Sequence, residues 1–194
     1  VTRIIAGAVG GRRIAVPLKG TRPTTDRVRE AIFGKLDAEG VLPGARVLDA
    51  FAGSGALGME ALSRGARHAT FVDNSVAAVK VIGANLRDLG LEGVASVVRS
   101  NVLDRLLSQG EPFDVALLDP PYDLTTRRLT AVLSALERRL APNARVVLEW
   151  SSRGVAPEWP AGIIPDEVRS YGETSVHYAH IPPSATLDGG SLGP

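Results

Sequence analysis

From residue 46 onward, short apolar segments alternate with stretches of helical periodicity, and few architectures accept such a chain. Arg46–Ala50 is a compact apolar run that leads into a glycine-rich turn and a helix ending near Gly65. Residues 69–73 form a second run. Val76, Val79, Ile82, Leu86 and Leu89 then recur at helical spacing, and Gly90 ends that helix. Ala95–Arg99 and residues 114–118 read as the third and fourth strands. Leu129, Val132, Leu133, Leu136 and Leu140 mark a further helix that Pro142 stops, and residues 145–150 are the fifth strand. Residues 167–171 and 175–181 read as a closing strand pair. The expected fold class is α/β: a Rossmann-like, mainly parallel sheet with helices on both faces.

The N-terminal stretch is different. Ile4, Ile5 and Val9 precede Gly10-Gly11, and Ile14 and Val16 follow, so residues 3–16 read as a hairpin. A turn-rich connector spans 17–23. Thr24, Thr25 and Asp26 are N-cap candidates for a helix with the apolar face Val28, Ile32, Phe33 and Leu36, ended by Gly40 and Pro43-Gly44. Residues 1–35 hold eight basic and two acidic residues, against 14 basic and 19 acidic in the remainder. A basic arm on an acidic body points to a polyanion contact made by the arm. The division expected is a 1–40 hairpin and helix extension that meets the polyanion, a 41–181 α/β domain, and a disordered 182–194 tail.

Cysteine is absent, which excludes disulfides and thiolate metal sites, and the three histidines are scattered. No apolar run is long enough to span a bilayer. The expectations are a soluble, cytoplasmic monomer with no metal and no membrane contact.

Gly53, Gly55 and Gly58 fit G-x-G-x-x-G between a strand and a helix. Such a turn lets the backbone approach a ligand closely. Asp73, at the end of the second strand, can accept hydrogen bonds from both hydroxyls of a ribose. The pattern also suits dinucleotides, but Asp49 discriminates: a carboxylate beside the turn repels a pyrophosphate and tolerates the ammonium and sulfonium of S-adenosylmethionine. After the third strand, Asn101 can meet the exocyclic amine of adenine while Val102 packs on the ring.

The fourth strand runs into Asp119-Pro120-Pro121-Tyr122. Two prolines stiffen the backbone just past a carboxylate, at the strand end where open α/β sheets place their chemistry. Methylating an aromatic amine requires its lone pair to be withdrawn from the ring. The Asp119 carboxylate and the Pro120 carbonyl can each accept one N–H and so aim that lone pair, while Tyr122 stacks on the base. Arg127 and Arg128 follow closely enough to touch phosphate. Arg138 and Arg139 read as a solvated helix end, and Trp150 and Trp159 as packing residues.

Asp49 through Gly58, Asp73, and Asp119 through Tyr122, in this order, resemble the class I S-adenosylmethionine-dependent amino-methyltransferases. Arg3-Ile4-Ile5-Ala6-Gly7, Gly11-Arg12, and the run from Arg22-Pro23-Thr24-Thr25-Asp26 to Phe33 are similar to the bacterial RsmD-type 16S rRNA (guanine-N2) methyltransferases. The resemblance implies a seven-stranded sheet with one antiparallel strand, transfer of methyl to N2 of a guanine in 16S rRNA of the small ribosomal subunit, and S-adenosylhomocysteine as product. Ribosomal proteins would form part of the substrate. The implied cofactor contacts are Thr24, Arg27, Asp49, Phe51, Ala52, Gly53, Ser54, Gly55, Leu57, Asp73, Asn74, Asn101, Val102 and Asp119. The RNA contacts are Arg3, Arg12, Arg13, Lys19 and Arg22. Two departures stand out: Asn101 where many class I members have Asp, and Gly34 where the RsmD type often has Asn.

Two other functions fit parts of the pattern. A DNA adenine-N6 methyltransferase shares the catalytic tetrapeptide, but the arm of about 40 residues is short for reading a duplex. A non-catalytic RNA-binding assembly factor has no need of Asp119 or of an intact glycine turn.

Overall fold

A computed structural model describes residues 2–17 and 25–184. The chain opens on a small hairpin, β1 (Thr2–Arg3) and β2 (Arg13–Ile14), paired antiparallel. Ile4 donates its N–H to the Arg12 carbonyl at 2.9 Å and Gly11 donates to Ile4 at 2.8 Å, so the pairing extends past the two-residue strands. Helix α1 (Asp26–Ala38) follows, with Thr25 as its N-cap and the expected face of Val28, Ile32, Phe33 and Leu36 buried.

The remaining strands form one sheet. In chain order they are β3 (Arg46–Ala50), β4 (His68–Asp73), β5 (Ala95–Arg99), β6 (Phe113–Leu118), β7 (Leu140–Ser151), β8 (Ile164–Tyr171) and β9 (Thr174–His180). Their spatial order is β5-β4-β3-β6-β7-β9-β8. Strands β3 to β7 pair in parallel, and β9 is antiparallel to both β7 and β8. This is the seven-stranded sheet with one reversed strand that the resemblance implied.

Alternation along the strands divides the core in two. Val47, Val115 and Leu117 face α1, α2 (Ala56–Ser63) and α3 (Val76–Leu89), together with Ile4 and Ile14 of the hairpin region. Leu48, Ala116 and Leu118 face α4 (Val102–Leu107) and α5 (Thr126–Glu137) on the other side. The N-terminal extension therefore shares a core with the sheet. It is also clasped by α2: buried Glu60 accepts the N–H of Ile5 at 2.7 Å and of Ala6 at 3.1 Å, and the Ser63 hydroxyl accepts from Val9 at 3.1 Å and donates to the Ala6 carbonyl at 2.5 Å. Gly7 has φ +86° and lies against the Ser63 backbone, leaving no room for a Cβ.

Several expectations need correction. Leu140 is not helical, and Pro142 does not stop a helix. The helix ends at Glu137, Leu140 pairs with Phe113, and Pro142 sits where the β6–β7 register shifts before Arg145 meets Val115. An irregularity is where a strand tolerates proline. Val76 opens α3 and is 45% exposed, whereas Ala78 and Asn85 lie on the buried face. Helix α4 was missed; six residues carry too little periodicity to read. Arg139 is not a solvated helix end: it is buried and donates to the carbonyls of Arg105, Leu106 and Ser108, at the C-terminal end of α4.

The basic arm also offers fewer free charges than its composition suggests. Arg29 is 0% exposed and donates to Thr2, the Arg3 carbonyl and Asp26. Lys35 pairs with Glu39 and Glu167. Arg12 and Arg13 are exposed. Arg3, also exposed, lies 3.5 Å from Asp26.

Candidate active site

Strand β3 is where the strand order reverses, with β4 on one side and β6 on the other. Open α/β sheets bind ligands in the crevice beyond the strand ends at such a point. Ala50 lies level with Val72 and with Leu118, and Asp73 level with Arg99. The glycine turn, Asp73, Asn101 and Asp119 thus follow four adjacent parallel strands at one end of the sheet.

The glycine turn shows why its residues are needed. Gly53 and Gly55 have φ +57° and +80°, a region that side chains disfavour. Phe51, with φ +59°, adopts it despite its side chain, and such strain gathers at functional sites. Gly58 serves packing: a Cβ there would run into the Phe71 ring and reach 3.1 Å from the Cβ of Asp49. Leu57 is buried in the first turn of α2, Ala52 donates to the Val72 carbonyl, and Asn74 is exposed.

The carboxylates of Asp49 and Asp73 hold this turn. Asp49, 1% exposed, accepts the N–H of Gly58 at 2.8 Å. Asp73 accepts from Gly53 at 2.9 Å with one oxygen and from Ser75 at 2.8 Å with the other. Burial pushes the Asp49 carboxyl well above the usual range; Asp119 and Asp73 push it further, and the Gly58 N–H opposes them. Asp119 and Asp73 act on buried Asp49 as like charges, and a cation placed among the three relieves that repulsion. A sulfonium with an ammonium on the same molecule meets that demand, and a pyrophosphate does not. The residues present fit S-adenosylmethionine on this ground.

Past β6, Asp119 and Pro120 are half-buried and Pro121 and Tyr122 exposed, Tyr122 by 70%. The Leu124 N–H closes on the Pro121 carbonyl at 3.0 Å, which turns the loop into α5. A partly shielded carboxylate beside an open aromatic ring suits a flat polar substrate entering from solvent. Arg127 and Arg128 are exposed in the first turn of α5.

Other sequence expectations fare differently. The Asn101 Oδ1 accepts the N–H of Leu103 at 2.9 Å as the N-cap of α4, and Val102 is buried in the core, so both have structural roles. Arg27 is exposed on α1, outside the four crevice loops. Thr24, Lys19 and Arg22 lie outside the described residues, as does the tail from 185 onward. Asn85 and Glu60 were not singled out. Their signal was available, as polar residues interrupting the apolar faces of α3 and α2.

Comparison with known proteins adds a separate line of support. The model of the family described as Conserved hypothetical protein 95 matches residues 2–180. Ribosomal RNA small subunit methyltransferase D of Escherichia coli (strain K12) is 41% identical over 160 residues, covering 82% of this chain and 79% of that protein. The solved structure of the yhhF protein from Escherichia coli superposes with a TM-score of 0.83 at 35% identity, over 93% of this chain and 98% of that one. Magnesium protoporphyrin IX methyltransferase from Synechocystis PCC 6803, solved with bound SAM, shares the fold: TM-score 0.65 at 18% identity, over 80% of this chain and 78% of that one.

Proposed function

The chain belongs to the RsmD family, whose model is described as Conserved hypothetical protein 95, and from that membership we propose that it transfers a methyl group from S-adenosylmethionine to the exocyclic N2 of a guanine in 16S rRNA of the small ribosomal subunit. The observation that carries this reading is the set of acids Asp49, Asp73 and Asp119 at the strand ends, beside the Asp119-Pro120-Pro121-Tyr122 loop. The rRNA target is supported by the name of the Escherichia coli relative at 41% identity.

When bound, S-adenosylmethionine supplies an electrophilic methyl group. Asp49 would offer a counter-charge to its ammonium group, and Asp73 would accept hydrogen bonds from its ribose hydroxyls. Phe51, Ala52, Gly53, Ser54, Gly55, Leu57, Asn74, Asn101, Val102, Thr24 and Arg27 are the further residues that would hold it. On the substrate side, the Asp119 carboxylate and the Pro120 carbonyl each accept one N–H of the base amine. That turns the nitrogen lone pair out of conjugation and toward the methyl carbon. Pro121 fixes the loop, and Tyr122 stacks on the base. As the N–C bond forms, the methyl–sulfur bond would break to leave S-adenosylhomocysteine, and the nitrogen would lose one proton, for which Asp119 is the acceptor in this reading. Positioning and fixed charge supply the acceleration, and no covalent enzyme intermediate is required. Arg3, Arg12, Arg13, Lys19 and Arg22 contact phosphate and fix the register without reading sequence. The work is done in the cytoplasm by a monomer, on an assembled or partly assembled subunit whose ribosomal proteins belong to the substrate.

The test is methyl transfer from labelled S-adenosylmethionine to three substrates: small subunits lacking the modification, naked 16S rRNA, and duplex DNA. Label in the subunits is the expected result. Label in DNA adenine alone would contradict the reading.

A further inference from the structure

Buried Asn85 on α3 touches two separate functional segments at once. Its Oδ1 accepts the N–H of Ala15 at 2.8 Å, and its Nδ2 donates to the Ala15 carbonyl at 2.9 Å. The same Nδ2 donates to the Ser54 carbonyl at 3.1 Å. Ala15 directly follows β2, whose Arg13 is one of the exposed arm cations. Ser54 stands between the two left-handed glycines of the turn.

The chemistry of the amide makes this a shared restraint. Nδ2 carries two hydrogens, and two carbonyls use them. Asn85 pairs with both polar groups of Ala15 as a neighbouring strand would, so the arm's exit from the hairpin is held at a fixed distance from the glycine turn. Moving either carbonyl leaves a buried donor unsatisfied, which is costly. Other parts of the hairpin are tied to neighbouring helices: Glu60 and Ser63 bond residues 5, 6 and 9 to α2, and Arg12 reaches the Asp88 carbonyl at the end of α3 at 2.6 Å.

We infer that Asn85 is a positioning residue that couples cofactor binding to RNA binding, because ordering either the glycine turn or the arm fixes the one side chain that holds both. This rests on the cofactor and RNA reading above. Two ligands that order the same restraint bind with positive cooperativity, and the coupling is reciprocal.

The experiment is equilibrium dialysis of labelled S-adenosylhomocysteine against the full chain, with and without saturating small subunits that lack the modification. In the unaltered chain, the subunits tighten S-adenosylhomocysteine binding by about fivefold or more. Asn85→Asp keeps the acceptor for Ala15 but loses both donors, and the factor falls toward one. Asn85→Ser, too short to reach Ser54, gives the same result without a buried charge. Ser63→Ala loosens the hairpin but leaves the Asn85 bridge, so it weakens subunit binding while keeping the factor. A factor of one in the unaltered chain, or an undiminished factor in both Asn85 variants, overturns the inference and leaves the reading standing. A chain that binds S-adenosylhomocysteine but neither subunits nor 16S rRNA overturns the reading and the inference with it.

Discussion

The Asp49 carboxylate accepts the N–H of Gly58 at 2.8 Å, so the strand that enters the glycine turn is tied to the helix that leaves it. The acid that shapes the turn is also the one whose charge is least tolerated there, since it is buried and faces Asp119 and Asp73. Stability and cofactor binding therefore make opposite demands on one side chain.

Asp49→Asn separates those demands. Its amide oxygen can still accept from Gly58, and the charge is gone. The folded state holds a proton on Asp49 more tightly than the unfolded state does. The chain accordingly loses stability as pH rises from the ordinary carboxylate range through the raised folded value. The variant is expected to lose that pH dependence and to gain on the order of 1 kcal/mol near neutrality, about 2–4 °C in Tm. Binding of S-adenosylmethionine should fall sharply. Thermal melts across pH together with calorimetric titration check both halves.

Glu60→Ala removes the clasp between α2 and the hairpin. Two backbone N–H groups, those of Ile5 and Ala6, lose their acceptor, and Arg64 loses its 2.8 Å partner. A loss of about 3–5 kcal/mol is expected for breaking such a buried charged network. Denaturant titration measures it. Hydrogen exchange at residues 4–9 should accelerate before exchange in the sheet does.

Gly34→Ala should stabilise. Gly34 lies inside α1 with an ordinary helical backbone, and a Cβ there meets nothing within 4 Å. Glycine costs a helix interior roughly 0.5–1 kcal/mol relative to alanine, and that gain should appear in the unfolding free energy with methyl transfer unchanged.

Tyr178→Phe should be neutral or mildly stabilising. The ring is buried, with Lys35 Nζ at 5.2 Å and the Arg169 guanidinium at 5.6 Å from its centroid. Its hydroxyl finds no partner among the described residues, and burial pushes its pKa up to about 12. Removing an unsatisfied buried hydroxyl relieves its desolvation cost, about 1 kcal/mol at most after the lost contacts. A loss above that size in a thermal melt would show that the hydroxyl is satisfied in solution.

The sheet was legible because its strands are short apolar runs bounded by glycines, and β3 and β5 fall where the sequence puts them. The glycine turn and the Asp119 loop were legible because both follow predicted strands. Leu140 misled because an apolar residue continues the helical spacing past a helix that had already ended at Glu137, and only pairing with Phe113 reveals its place. Arg29 and Arg139 misled because charge in a sequence carries no burial. Their guanidinium groups serve backbone carbonyls brought in from distant segments. Asn101 also caps a helix too short to read, which its place after a strand does not reveal. The Asn85 bridge joins segments 70 and 31 residues away, which no local pattern encodes.

The central claim is that Asp119 directs methyl transfer to an exocyclic nitrogen of ribosomal RNA. Its most direct test is nucleoside analysis of 16S rRNA from unmodified small subunits after incubation with S-adenosylmethionine and either the unaltered chain or Asp119→Ala. The account predicts N2-methylguanosine with the unaltered chain and none with the variant, which still binds the subunits. A methyl group on any other atom, or undiminished N2-methylguanosine with Asp119→Ala, would contradict it.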